Sequence, residues 1–596
     1  MLAWELYYYH STRGVFTLEQ RYRWKNKELR EHVQVLDGQR SPSMLLKNAT
    51  YLHSTLKKWI EGHIWIDRDR IVYAGDRLPE HTSDCEIIDC RSHYLVPGYI
   101  EPHVHPFQLY NPQTFTKYAS QTGTTTFIND NLMMFLLSGK KKAFTLLKEL
   151  KKLPVTMYWW TRFDSQTEMV QEETTFSNRE VKSWLEHDAV IQGGELTAWP
   201  RLLEGDDLIL HWMQEAKRMG KAVEGHLPGA SDKTIAKLRL LGIDGDHESM
   251  TGEDVYKRLL QGLTVTLRHS SIRPDLPILL EGLKEQGIDT YDSLLFTTDG
   301  STPAFYEDGV MNGLINMAIE SGIPEVEAFN MASYNAARHY GIGHLHGMIA
   351  TGRVANINFL KKKDDATPVS VLAKGKWVLK DGEPVKEDTV IPWSSNGFKP
   401  LDLNWEAGYD DMQFSMPFGI EMVNDVITKP YSIAINPSQD VLSTEHDESF
   451  LLMLDRGGKW RISTMIKGFA HSVMGFASSY SNTGDIIVIG KSKPDMIAAF
   501  NRMKELGGGI VLTENGEVVQ EIPLPLSGIL SDKEMPELIG EEKALKEALI
   551  ERGYTFADPI YTLLFLQSTH LPYIRVTPKG IYDVMNKTVL FPTIMR

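Results

Sequence analysis

Apolar positions recur with two different spacings along this chain, and the places where one spacing gives way to the other mark its organisation. From Ser43 onward, residues 44–51, 62–66 and 70–76 are short strand-like runs broken by turn residues, which predicts a small β unit. A long alternation follows. Strand-like stretches end near His105, Asn129, Asp164, Leu196, Leu227, Ser249, Ser270 and Asp299, and helical stretches such as 207–219 and 232–241 separate most of them. Eight strand-helix units in roughly 245 residues suit a closed parallel barrel. After a helix ending at 334–339, the β pattern returns in 347–359 and 371–378, so the flanking strands are expected to join into one β-sandwich with the barrel inserted between its halves.

Residues 384–399 read as a linker, with Pro392, Ser394, Ser395, Asn396 and Gly397 close together. Beyond it, an apolar run at 485–490, a helix at 493–506 and further strands predict a second mixed domain. Gly507, Gly508 and Gly509 follow a helix and precede a strand, the reverse of a phosphate cradle, so a tight helix-to-strand turn is expected. The expected fold class is α/β: a (β/α)8 barrel inserted in a small β-sandwich, plus a C-terminal α/β domain. The boundaries are an N-terminal extension at 1–42 with one polar helix over 18–35, the sandwich at 43–96 and 345–391, the barrel at 97–344, and the last domain at 398–596.

Composition narrows the function. A net charge of -15 argues against a nucleic-acid partner, whose phosphates require a basic surface. Two cysteines, Cys85 and Cys90, in 596 residues exclude a disulfide framework, match no zinc ribbon and suit a reducing compartment. The opening Met-Leu-Ala-Trp-Glu-Leu has an acid and no basic segment before an apolar one, so no secretory signal is expected, and no apolar run is long enough for a membrane span.

The candidate chemistry sits at the predicted strand ends. His103 and His105 are two apart, and the two-residue period of a strand sends both imidazoles from one face. Glu195 follows two glycines, His226 and His247 end later strands, and Asp299 ends the last. Four histidines and two carboxylates at the catalytic end of a barrel can hold two divalent ions, with Glu195 and a water or hydroxide as bridges. Two cations lower the pKa of that water and make a nucleophile at neutral pH. Asp299 then takes its proton, while Glu248 either returns protons to the substrate or orients His247.

At these residues the chain resembles the amidohydrolase superfamily and, within it, the bacterial adenine deaminases. The resemblance spans most of 43–532. It rests on Pro97-Gly98-Tyr99-Ile100-Glu101-Pro102-His103-Val104-His105, Gly123-Thr124-Thr125-Thr126, Gly194-Glu195, Gly225-His226-Leu227-Pro228-Gly229, Asp246-His247-Glu248 and Thr298-Asp299, in order. It implies a cytoplasmic enzyme with two metal ions, manganese or iron, with zinc a further option, that converts adenine and water to hypoxanthine and ammonia by attack of metal-bound hydroxide on C6. His103, His105, Glu195, His226, His247 and Asp299 carry over as metal-site positions. Arg268 and His269 are candidates to hold the ring, and a homodimer is expected from base rates.

The chain departs from that family at Asp130-Asn131-Leu132-Met133, at Arg268-His269-Ser270-Ser271, at Asp299-Gly300 and at Tyr480-Ser481-Asn482-Thr483, where the family usually has Asp-Pro-His-Glu, Arg-Glu-Gly-Ser, paired aspartates and His-Asp-Ser-His. These leave open another aminopurine, a pterin or a cyclic amide as substrate. A silent scaffold is the other class of reading, but it would have lost ligands, and all six are present.

Overall fold

The computed structural model describes residues 23–596. Its centre is an eight-stranded parallel sheet in chain order: β1 (Tyr99–Val104), β2 (Thr124–Asn129), β3 (Thr156–Thr161), β4 (Val190–Leu196), β5 (Ala222–Gly225), β6 (Gly245–Asp246), β7 (Thr264–Arg268) and β8 (Leu294–Thr297). The strands are almost wholly buried, because helices cover the outside and side chains fill the inside. No ladder joins β8 to β1, and side chains close the seam instead. Glu101 of β1 accepts hydrogen bonds from Thr297 Oγ1 at 2.6 Å, Thr298 Oγ1 at 2.7 Å and Thr298 N at 3.0 Å.

Strands on both sides of the barrel form one nine-stranded sheet. The junction is antiparallel pairing of Tyr94–Pro97 with Ile357–Leu360, so the barrel is an insertion between the two halves of that sheet. Inward side chains from both halves, among them Leu46, Ile66, Leu95, Phe359 and Leu372, share one core.

Two expected runs differ from the structure. In 347–359 only the end is strand, because Gly347 and Gly352 turn the chain at φ +83° and +89°. A side chain on Gly347 would also meet Ala337 Cβ at 2.6 Å, so a glycine is required there. The 371–378 run is a hairpin of Pro368–Ala373 and Lys376–Lys380. Lys374 and Gly375 turn it with φ of +49° and +72°, the left-handed pair that matches strand twist.

The N-terminal helix spans Asn26–Leu36, with residues 23–25 outside it. Residues 18–22 of the expected longer helix, and the opening hexapeptide, lie outside the described residues. Trp24 anchors this segment through Nε1 to Asp69 Oδ1 at 2.7 Å, with the Arg70 guanidinium 4.0 Å from its ring centre. The 384–399 stretch is packed rather than free. Ile391 and Phe398 are buried, and the Asn396 carbonyl accepts from Ser138 Oγ at 2.9 Å.

The C-terminal part holds a second nine-stranded sheet, with helix Lys493–Glu505 against it and Gly507 to Gly509 turning that helix into strand Gly509–Glu514. A Cβ on Gly508 would stand 2.3 Å from Gly528 Cα, which explains why that turn is bare. Among the described residues, no helix is long and apolar enough to cross a membrane.

Helices Met535–Glu551 and Pro559–Phe565 dock this part on the barrel. Glu542 Oε2 accepts from Ala304 N at 2.6 Å, and Asp558 Oδ2 accepts from Thr302 Oγ1 at 3.2 Å. Burial, and then the neighbouring Asp558, pushes the Glu542 carboxyl from 4.5 up to about 8. A carboxyl raised in the folded state stabilises most below its unfolded pKa, and that contribution is lost as pH rises through the folded value. Stability is therefore expected to fall as pH rises from the ordinary carboxyl range through about 8. Glu542→Gln keeps the acceptor and removes the titration, so urea unfolding across that range should give a flatter curve. A curve parallel to the parent's would remove Glu542 as its source.

Candidate metal centre

Each candidate ligand stands at the carboxyl end of a barrel strand, and each arrives by a different local device. His103 lies within β1, and His105 just past it. Glu195 is aimed by a bulge in β4: Gly193 pairs with Val223 and Leu196 with Gly225, so two residues oppose one. Gly194 takes φ +79° in that bulge, and a Cβ there would lie 2.6 Å from Glu224 O. His226 and His247 follow β5 and β6 directly. Asp299 follows β8 with φ +53°, a left-handed backbone that a non-glycine residue keeps only where its surroundings enforce it. Here Asp299 N donates to Thr297 Oγ1 at 2.9 Å.

The structure brings all six together. Glu195 sits between two histidine pairs: Oε2 is 3.9 Å from His103 Nε2 and 3.7 Å from His105 Nε2, while Oε1 is 2.8 Å from His226 Nδ1 and 3.6 Å from His247 Nε2. Asp299 Oδ1 lies 3.0 Å from His105 Nε2 and 3.8 Å from His103 Nε2. His103 stacks on Trp160 with ring centres 4.5 Å apart, which fixes its plane.

Electrostatics marks the site as cation-seeking. Burial opposes charge on His105, but hydrogen bonds to Asp130 and Asp299 and the surrounding acids push it up to about 10. Burial would also neutralise Glu195 and Asp299, yet Arg162 and Arg268 respectively, with the histidines, hold both carboxyls well below the usual carboxylate range. Two donor atoms, His103 Nε2 and Glu195 Oε2, are buried without a hydrogen-bond partner. Burial of an atom such as His103 Nε2 unsatisfied costs about 1–3 kcal/mol. An imidazole lone pair and a carboxylate oxygen share one natural partner, a divalent cation, so the donor set fits the metal ions that the strand-end pattern implies.

The other predicted residues fall differently. Glu248 Oε1 is 3.5 Å from His226 Nδ1 and 3.4 Å from His247 Nε2, and both its oxygens are held by arginines, Arg268 and Arg273. Against burial, His226 and these two arginines keep its carboxyl ionised. Arg268 Nη1 also reaches Asp299 Oδ2 at 2.9 Å. His269 points elsewhere: its ring faces Phe305 at 5.5 Å, and it is absent from the lining of the cavity beside the cluster.

Sequence reasoning assigned no role to Asp130 and Arg162, which support the cluster from behind. Asp130 Oδ2 bonds His105 Nδ1 at 2.8 Å and Arg162 Nη2 at 2.6 Å. Arg162 Nη2 also lies 2.8 Å from Glu195 Oε2, an ion pair not aligned as a hydrogen bond. Both residues immediately follow barrel strands, and that position was the available signal.

Residues 94–378 match the amidohydrolase family, and residues 425–588 match the adenine deaminase C-terminal domain. A Bacillus cereus relative named "Putative adenine deaminase" is 56% identical over 573 residues, 96% of this chain and 97% of that one. A Bacillus subtilis relative bearing the same words is 54% identical over 97% of this chain and 100% of that one. The chain belongs to the adenine deaminase family of amidohydrolases. As such it is a hydrolase of carbon–nitrogen bonds, in a family that typically binds divalent metals. A solved β-aspartyl dipeptidase from Fervidobacterium islandicum AW-1 is also similar, with TM-score 0.46 and 17% identity, over 58% of this chain and 99% of that one.

Where adenine deaminases usually carry paired aspartates, this chain has Asp299-Gly300. A Cβ on Gly300 would lie 2.7 Å from both Cβ and Cδ2 of His105. Gly300→Ala should therefore displace His105 and weaken metal binding about 10–100-fold, the size of effect seen when groups behind a ligand are lost. Metal titration of the purified variant checks this, and unchanged affinity would mean that the loop yields instead of the histidine.

Proposed function

We propose that this chain is a two-metal aminohydrolase that converts adenine and water to hypoxanthine and ammonia. The observation that carries the reading is Glu195, whose two oxygens are divided between His103 with His105 on one side and His226 with His247 on the other. The donors are nitrogen and oxygen with no thiolate, which suits manganese or iron, and zinc as well. Divalent ions held there supply an activated water and charge neutralisation at neutral pH.

The chain's own groups then manage protons. Water adds across C6 and N1 of the ring, oxygen to carbon and one proton to nitrogen, and the amine leaves with a second proton as ammonia. Asp299, kept ionised by Arg268 on Oδ2, accepts the proton of the attacking water. Glu248, ionised at rest beside His226 and His247, has no proton of its own: it receives the water protons that Asp299 takes and passes the first to the ring nitrogen and the second to the leaving amine. Arg268 holds both carboxylates in place, so its ring contact is secondary to that task. The reading carries with it a cytoplasmic homodimer with a small nucleobase as its partner, which light scattering of the purified protein tests in part.

Metal-loaded protein should release ammonia and hypoxanthine from adenine. A panel of other aminopurines, pterins and cyclic amides is run beside it. Turnover on one of those rings with none on adenine would overturn the substrate and leave the hydrolytic chemistry.

A further inference from the structure

The C-terminal domain reaches back over the metal centre. Helix Pro559–Phe565 and the loop after it place Tyr561, Leu564, Phe565 and His570 on the wall of a cavity of about 60 Å³, which His105, Glu195, His226 and Asp299 line from the barrel. Asn482, in the loop after strand Gly475–Ser478, lines the same cavity.

Two polar atoms on this wall have no partner. Asn482 Nδ2 and His570 Nδ1 are both buried without a hydrogen bond. Looseness does not explain this, because the wall is tied on every side. Asp558 Oδ1 caps the helix at Ile560 N and Tyr561 N, at 3.0 and 3.1 Å. Gln567 bridges the two loops, accepting from Thr483 N at 3.1 Å and donating to Thr483 Oγ1 at 2.7 Å. Thr569 N donates to Gln166 O at 2.9 Å. The His570 ring stands edge-on to His226 at 5.3 Å and to Phe565 at 5.8 Å, while Phe565 stacks on Tyr561 at 5.2 Å. A rigid wall with aromatic surface and two unsatisfied polar atoms is built for a flat ring with nitrogen on its edge.

We propose that Asn482 and His570 read the polar edge of the substrate ring, with the stacked pair Tyr561 and Phe565 offering apolar surface beside it. Substrate choice in this chain is then set by its C-terminal domain, while the barrel supplies the chemistry. This rests on the reading of the site as one for a nitrogen heterocycle. It does not depend on that ring being adenine.

The test uses the full chain, metal-loaded, as Asn482→Ala, His570→Ala and His570→Gln. On whichever ring of the nucleobase panel the parent turns over, each alanine variant should lose about 10–200-fold in kcat/KM, mainly through KM, because a polar edge is left unpaired. Metal content and thermal midpoint should stay at the parent's values, and His570→Gln, which keeps a donor and an acceptor, should recover part of the loss. Calorimetry with purine, which has no amine to lose, gives a second readout, and its Kd should weaken in parallel. Unchanged kcat/KM and Kd in both alanine variants overturn the proposal, as does a loss that tracks lost metal or a lowered midpoint. Absence of any purine binding or ring turnover by the parent overturns it too. Turnover of another ring instead of adenine overturns only the adenine reading, and the variants are then judged on that ring.

Discussion

Glu195→Gln should leave the barrel folded, empty at least one of its two metal positions and reduce turnover by roughly a thousandfold or more. The amide has the carboxylate's shape but neither its charge nor its second acceptor. In the parent, Oε1 faces His226 Nδ1 at 2.8 Å and Oε2 faces His105 Nε2 at 3.7 Å, so one charge serves both histidine pairs. Without it, two cations would repel each other across a neutral group. The several kcal/mol that a metal ion contributes to the transition state would go with them, and each 1.36 kcal/mol is about tenfold in rate. Elemental analysis beside an ammonia-release assay measures both effects. Two equivalents of metal retained with undiminished turnover would sink the bridging role of Glu195.

Arg162→Leu should be the most destabilising single change at the site. The guanidinium is fully buried and grips Asp130 through Nε at 2.9 Å and Nη2 at 2.6 Å, with Glu195 Oε2 2.8 Å away. Its removal strands two buried carboxylates, and breaking a buried pair in this way costs about 3–5 kcal/mol. His105 still bonds Asp130 through Nδ1 at 2.8 Å, so the lower half of that range is expected. Added divalent metal should restore part of the loss, because a cation beside Glu195 replaces the missing positive charge. Urea unfolding with and without manganese reports this directly. A variant as stable as the parent in metal-free buffer would mean that the carboxylates take up protons at little cost.

The six candidate ligands could be singled out from the sequence because two independent patterns coincide in them. Strand-helix alternation locates the carboxyl ends of the barrel strands, and residue chemistry then picks out His103, His105, Glu195, His226, His247 and Asp299 at those ends. Arg162 and Asp130 occupy equivalent places and were passed over, since arginine is no metal ligand and a lone aspartate after a strand is common. Arg268 and His269 show the limit of neighbourhood. Adjacent residues at a strand end leave opposite faces, so Arg268 turns to the cluster and His269 to Phe305. Residues 347–356 show another limit: their β-like composition is overridden by Gly347 and Gly352, whose φ of +83° and +89° turns the chain out of strand geometry.

Periodicity and residue type are local properties, and they were enough for most of the elements, for the joining of the sheet across the barrel and for picking out the six candidate ligands that the fold brings together. The folded chain alone revealed which charges hold those ligands, and that a distant helix and loop, with Tyr561, Phe565 and His570, wall the cavity above them. Such pairings are contacts between segments remote in the chain. They follow from shape and burial at a docked surface, and no repeat of two or 3.6 residues encodes where a second domain will sit.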